Sequence, residues 1–128
     1  MRVLITGAKG QLGAEFVSLF KKSGWEYAAA DLDALDIADG DAVLKAVLPY
    51  RPGLIVNCAA YNLVDKAESE PKPAYAVNAE GVRNLAFAAK QLESKLVHFG
   101  TDYVFDGEKR SPYLETDAAN PLNEYGRS

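Results

Sequence analysis

The chain has 128 residues, a hydrophobic fraction of 48% and a formal net charge of −4 from 14 basic and 18 acidic side chains. That length sets a single domain with room for a core, and acids and bases interleave rather than forming the basic block that a nucleic-acid partner selects. No apolar stretch reaches the ~20 residues of a membrane span and no signal-type segment opens the chain, so the expectation is a cytoplasmic protein with neither a membrane nor a nucleic acid as partner.

Arg2 to Thr6 form an apolar, β-branched run that reads as a buried first strand. Gly7, Gly10 and Gly13 follow at once, and a helical pattern (Leu12, Phe16, Leu19, Phe20) begins behind them, predicting a helix over Gln11 to Lys22 with Gly24 as its C-terminal cap. Glycines between a strand and a helix let the backbone turn sharply and approach a pyrophosphate closely. The N–H groups at the helix start, those of Gln11, Leu12 and Gly13, are then aimed at its charge. Glu26 to Ala30 reads as a second strand, Asp39 to Pro49 as a second helix and Leu54 to Asn57 as a third strand. A long helix over Ala74 to Gln91 and a fourth strand over Lys95 to Phe99 complete the pattern, and after Gly107 the text is loop-like.

Strand, helix and strand repeated in this way predict an α/β fold, a Rossmann-type doubly wound parallel sheet in three layers (αβα) whose ligand crevice lies at the carboxyl ends of the strands. The whole of residues 1–128 reads as one dinucleotide-binding domain. Asp31, about 20 residues past the glycines, stands where a carboxylate accepts hydrogen bonds from adenosine ribose hydroxyls and repels a 2′-phosphate. Lys9 pulls the other way, since a base there can meet that phosphate. The balance predicts NADH as cofactor with NADPH tolerated. Cys58 is the only cysteine, which excludes an internal disulfide, and its apolar surroundings (Leu54 to Ala60) predict a buried free thiol. No set of residues has metal-ligand spacing.

The glycine spacing, Gly-x-x-Gly-x-x-Gly, resembles that of the short-chain dehydrogenase/reductase superfamily in its extended, nucleotide-sugar branch. A second segment, Ala59-Ala60-Tyr61-Asn62 followed by Val64-Asp65-Lys66-Ala67-Glu68, resembles the branch's Ala-Ala-x-Thr-x-Val-Asp-x-Ala-Glu, with Asn62 in place of Thr. A third, Gly100-Thr101-Asp102-Tyr103-Val104-Phe105-Asp106-Gly107, resembles Ser-Thr-Asp-Tyr-Val-Phe-x-Gly, the signature of the dTDP-4-dehydrorhamnose reductase family, with Gly100 in place of Ser. The resemblance implies that Asp36 and Ile37 flank the adenine, and that Ala59, Ala60 and Tyr61 lie along the cofactor. It also implies that Asn78 stands near the active site, that Thr101 and Asp102 meet the substrate, and that Tyr125 is the catalytic tyrosine. Glu15 matches an acid used in an interfacial metal site by some relatives, but reads here as an exposed helical side chain.

For the intact parent, the resemblance implies NAD(P)H-dependent reduction of a dTDP-4-ketosugar, dTDP-4-dehydro-L-rhamnose to dTDP-L-rhamnose, in cell-wall polysaccharide synthesis. Tyr125 would donate the proton and Thr101 would steady the developing alkoxide. A free tyrosine has a pKa near ~10 and needs an adjacent cation to work near neutrality. The family's lysine, four residues after the tyrosine, falls one position beyond Ser128. The chain therefore reads as an N-terminal fragment, incomplete at the C-terminal end of its sheet. It is expected to bind cofactor, to have no useful reductase activity alone, and to hold Tyr125 at a frayed end. Homodimerisation stays open. So do a non-catalytic, cofactor-binding subunit of methionine adenosyltransferase, and another nucleotide-sugar ketoreductase or epimerase.

Overall fold

A computed structural model describes all residues, 1–128. Its frame is a parallel sheet of β1 (Val3–Thr6), β2 (Tyr27–Ala30), β3 (Leu54–Asn57) and β4 (Lys95–His98) in the order β2-β1-β3-β4. β1 is buried along its whole length because it has a strand on each side and helices on each face, which suits its β-branched Val3, Ile5 and Thr6. The chain winds to β2 on one side of β1 and to β3 and β4 on the other. The crevice that this reversal opens lies above the carboxyl ends of β1 and β3.

Alternation along the strands divides the core in two. Val3, Ile5 and Val56 pack under Phe20 of α1 (Gln11–Ser23), with Phe16, Val17 and Leu54 at the margin. Leu4 and Ile55 pack on the opposite face, against Val43 and Val47 of α2 (Gly40–Tyr50) and Leu85, Ala88 and Ala89 of α5 (Val82–Gln91). The layers are thus helix, sheet and helix, as the strand and helix periodicities predicted. α1 stops at Gly24, whose backbone is left-handed and whose N–H returns to the last turn. α2 starts at Asp39, whose carboxylate accepts from the N–H groups of Asp41 and Ala42, a cap that contributes about 1 kcal/mol.

The helix expected over Ala74 to Gln91 differs in form. Helical structure begins earlier, in α3 (Val64–Ser69) and α4 (Pro71–Tyr75), and runs through a π-helical turn over Ala76–Gly81 before α5. Pro71 opens α4 at a position where its missing N–H costs nothing. The π turn sits where Ile37 crowds the helix: a methyl placed on Gly81 would lie 2.6 Å from Ile37 Cγ1. Two residues into α5, the Asn84 amide donates to the carbonyls of Ile37 (3.0 Å) and Ala38 (3.2 Å). The widened turn carries Asn78 at its centre, and such turns cluster at functional positions.

β4 is an edge strand, with Val97 42% and Phe99, just beyond it, 41% exposed. Beyond Phe99 the only regular elements are a 3₁₀ turn (Asp102–Val104) and α6 (Glu124–Arg127). The loop between them is cross-tied despite its polar text. Asp106 accepts from Tyr113 Oη (2.9 Å), Asn120 Nδ2 (2.9 Å) and the Glu108 N–H (3.0 Å), and Phe105 stacks on Tyr113 at 4.1 Å. No helix is long and apolar enough to cross a membrane.

Candidate functional site

Two clefts open at the carboxyl ends of the strands. The larger, about 330 Å³, lies between the glycine loop, the segment after β2 and the segment after β3. Gly7 has a φ of +67°, and a Cβ there would stand 2.4 Å from the Ala59 nitrogen. A Cβ on Gly13 would stand 2.1 Å from the Gly7 oxygen. Both contacts are with backbone, so no side chain can be admitted without moving the loop off β3 or α1 off the loop. α1 begins with neither a side-chain cap nor an acid in its first turn, which leaves its leading N–H groups free to face an anion. Gly7 and Gly10 line the cleft, whereas Gln11, Leu12 and Gly13 stand behind them as the start of α1.

Asp31 is held by backbone: its Oδ2 accepts the Lys9 N–H (2.7 Å) and its Oδ1 the Leu32 N–H (2.9 Å). Each oxygen keeps a lone pair for a ligand hydroxyl. Lys9 turns its ammonium to Asp33 at 2.7 Å, which raises the Lys9 pKa and lowers that of Asp33, and both side chains stay exposed. Asp36 accepts the Ala38 N–H on one oxygen (2.9 Å), while Ile37 is buried against the π turn and borders the cleft with Leu32, Leu35 and Val77. Those three apolar residues were missed, because nothing in a helix or strand period marks them. Cys58, expected to be buried, is instead half-buried on the cleft wall. Its position past the end of β3 takes it out of the sheet, and partial desolvation pushes its thiol pKa up.

The smaller cleft, about 150 Å³, meets the larger one at Ala60, which lines both. Thr101, Tyr125, Asn78 and His98 surround it, drawn from four separate segments. Asn78 ties the walls together: its Oδ1 accepts the Tyr61 N–H (2.8 Å), and its Nδ2 donates to the Tyr61 carbonyl (3.0 Å) and to Ser128 Oγ (3.0 Å). Thr101 Oγ1 accepts the Tyr103 N–H at 3.2 Å, capping the 3₁₀ turn, and its proton faces Asp102 at 3.4 Å. Asp102 does not join Thr101 in this cleft. Successive side chains of a 3₁₀ turn point about a third of a circle apart, and Asp102 lines a separate hollow with Asp106 and Tyr113.

Tyr125 does not sit at a frayed end, contrary to expectation. The Glu124 N–H donates to Glu68 Oε1 (2.7 Å), Tyr75 Oη donates to Glu124 Oε2 (3.3 Å), and Ser128 is held by Asn78. A Cβ on Gly126 would lie 2.2 Å from the Tyr103 oxygen, so α6 rests directly on the 3₁₀ turn, and the Tyr103 and Tyr125 rings meet edge to face at 5.5 Å.

The family model described as the RmlD substrate binding domain matches residues 1–128, and so takes in both clefts and every segment that lines them. The chain belongs to this family. Among relatives, a dTDP-4-dehydrorhamnose reductase from Aggregatibacter actinomycetemcomitans is 47% identical over 99% of this chain and 44% of its own length. A crystal structure of a dTDP-4-dehydrorhamnose reductase from Clostridium acetobutylicum superposes with a TM-score of 0.96 at 43% identity, over 99% of this chain and 45% of that one. A further dTDP-4-dehydrorhamnose reductase, from Bacillus anthracis and solved in complex with NADP, gives a TM-score of 0.94 at 41% identity over 98% and 45%. The chain thus spans less than half the length of these members of the family.

Proposed function

We propose that this chain is the dinucleotide-binding part of a dTDP-4-ketosugar reductase, acting on dTDP-4-dehydro-L-rhamnose. The observation that carries the reading is the meeting of the two clefts at Ala60. A glycine cradle with a free helix N-terminus walls the larger cleft between its Asp31–Ile37 end and Ala60, and Tyr125 with Thr101 lines the far end of the trough. A dinucleotide fits this trough: the cradle admits a pyrophosphate because a Cβ at Gly7 or Gly13 would collide with backbone, and the pre-set Asp31 carboxylate faces the ribose end. Bound NADH or NADPH supplies the hydride that reduces the C4 ketone.

The residues of the chain do the rest. Gly7, Gly10 and the N–H groups of Gln11, Leu12 and Gly13 hold the pyrophosphate, and Asp31 accepts the ribose hydroxyls. Asp36 and Ile37 border the adenine, and Ala59, Ala60 and Tyr61 form the floor between the two ends. Asp31 favours NADH. The Bacillus anthracis relative carries NADP, and Lys9 is the residue here that would meet a 2′-phosphate, at the loss of its pair with Asp33. Tyr125 donates the proton to the ketone oxygen. Thr101 turns its one hydroxyl proton from Asp102, which it faces at a long 3.4 Å, to the same ketone oxygen as charge builds on it, while Oγ1 keeps accepting the Tyr103 N–H.

Calorimetry of NADH against the 128-residue chain tests the cofactor half of this reading, with measurable and weak binding expected. A folded sample that gives no heat with NADH or NADPH sinks it. Initial rates of NADH oxidation with dTDP-4-dehydro-L-rhamnose in the whole protein test the substrate half.

A further inference from the structure

The last residues of three neighbouring strands stand in one register row, Thr6 beside Asn57 and Asn57 beside His98. Their side chains share the sheet face of Leu4, Ile55 and Leu96, two residues earlier in each strand. They are joined in a line. Thr6 Oγ1 donates to Asn57 Oδ1 at 2.6 Å, and Asn57 Nδ2 stands 3.0 Å from His98 Nδ1. The Ala59 N–H donates to the same Asn57 Oδ1 at 3.1 Å.

Two donors converging on one oxygen fix the orientation of the amide, so it is the NH₂ that faces His98. A donor facing Nδ1 requires a lone pair there, and the imidazole proton therefore sits on Nε2. A second ring proton would set N–H against N–H. Asn57 and Thr6 are each about 1% exposed, which leaves them no water to turn to. Nε2 has no protein partner, and the exposed His98 side chain lines the smaller cleft with Thr101 and Tyr125. Tyr125 on α6 is the titratable side chain among the groups lining that cleft, while β3 and the π turn offer only the uncharged Asn57 and Asn78. Burial alone pushes the His98 pKa down, which agrees with a neutral ring.

We propose that His98 is a ligand-binding donor of the smaller cleft, its Nε2–H held by the Thr6–Asn57 row and hydrogen-bonded to an uncharged carbonyl oxygen bound beside Thr101 and Tyr125. The inference rests on the reading of that cleft as the nicotinamide and sugar end. Two oxygens share the required chemistry, the carboxamide of the cofactor and the ketone of the sugar.

His98 is the only histidine in the chain, so heteronuclear NMR reports on its two ring nitrogens without ambiguity. The free chain should show the Nε2–H tautomer, and Asn57→Asp, which offers Nδ1 a carboxylate, should switch the proton to Nδ1 and raise the pKa. A free chain carrying its proton on Nδ1 overturns the inference. ADP-ribose, NADH and dTDP-4-keto-6-deoxy-D-glucose are then added singly. ADP-ribose, which has no carbonyl to offer, should bind and leave Nε2–H unmoved. A shift of Nε2–H with NADH assigns the oxygen to the carboxamide, and a shift with the ketosugar that dTDP alone does not produce assigns it to the sugar. If ADP-ribose does not bind, the cofactor reading fails. If neither NADH nor the ketosugar moves Nε2–H, this inference fails whether or not ADP-ribose binds. For the ligand that moves it, His98→Phe should weaken affinity by ~3- to 10-fold. His98→Gln, an uncharged donor, should restore the affinity. Equal affinity in the Phe variant and the parent chain would also overturn the proposal.

Discussion

The two ends of the trough are built by different means. The glycine end is made of backbone from one short stretch, Gly7 to Gly13, set against the ends of β2 and β3 by main-chain contacts such as Ala8 N–H to the Ala30 carbonyl (3.0 Å). The Tyr125 end is assembled from side chains of distant segments: Asn78 in the π turn, His98 at the end of β4, Thr101 capping the 3₁₀ turn and Tyr125 on a four-residue helix. A site made of local backbone should survive most side-chain changes and fail at the glycines. A site made of convergent side chains should fail one function at a time.

Tyr125→Phe offers the largest contrast. The phenyl ring keeps the edge-to-face contact with Tyr103, and Tyr125 enters the hydrogen bonds of α6 only through its backbone carbonyl, so folding and NADH affinity should hold. Only the proton donor is lost, and kcat of the whole protein should fall ~10²- to 10⁴-fold. Steady-state rates beside NADH calorimetry check this, and an active Phe variant would remove Tyr125 from the chemistry. At the other end, Gly13→Val should do the reverse. Its side chain starts 2.1 Å from the Gly7 oxygen, so the loop must move. NADH binding should vanish, and denaturant unfolding should show a loss of about 1–3 kcal/mol.

The same contrast decides how much was legible in the sequence. The glycine end could be read almost entirely, because a strand, a turn and a helix in sequence carry their own periodicities. The third strand is found at Leu54–Asn57 as expected, and the first helix ends at Gly24 as expected. The other end could be read residue by residue only where a motif named them, as with Thr101 and Tyr125. The π turn follows from Ile37 pressing on Gly81 and from Asn84 reaching back to the Ile37 carbonyl, contacts that no local pattern encodes. α3 is too short for its apolar spacing to stand out. The separation of Asp102 from Thr101 depends on the 3₁₀ geometry, and the half-exposed Cys58 on where β3 stops. The row of Thr6, Asn57 and His98 had a signal that went unused: each residue closes an apolar strand with a polar group.

Asp31→Ala sharpens the comparison at smaller amplitude, because it removes a side chain from the end otherwise made of backbone. The carboxylate that the Lys9 and Leu32 N–H groups hold in place is lost. Its hydrogen bonds to ribose hydroxyls are charge-assisted, so NADH affinity should fall ~10-fold or more. NADPH should lose less, since the repulsion of its 2′-phosphate goes too, and the ratio of the two dissociation constants should move toward one. An unchanged ratio would mean that Asp31 does not face the ribose.

The smallest expected effect is in acid, and it should be confined to one end. Asp106 is held below its ordinary carboxylate pKa of 3.8 by hydrogen bonds from Asn120, the Glu108 N–H and Tyr113. Asp117 is held below the same value chiefly by its bond from Lys109. A carboxylate with a lowered folded pKa contributes stability above its unfolded value and loses it as pH falls through the folded one. The ties of the 105–123 loop should therefore hold at neutral pH and loosen progressively below about pH 4. Both groups are only part-buried and tie a surface loop, so the global transition should barely move, and the change belongs in local amide exchange. At the glycine end Asp33 is also lowered by Lys9, but it holds only that side chain. Amides from Glu108 to Asn120 should thus lose protection at pH 3, their exchange approaching its intrinsic rate, while Gly10, whose N–H bonds the Gly7 carbonyl at 3.1 Å, keeps its protection. Equal loss of protection at both ends would show that the two are not held by different means.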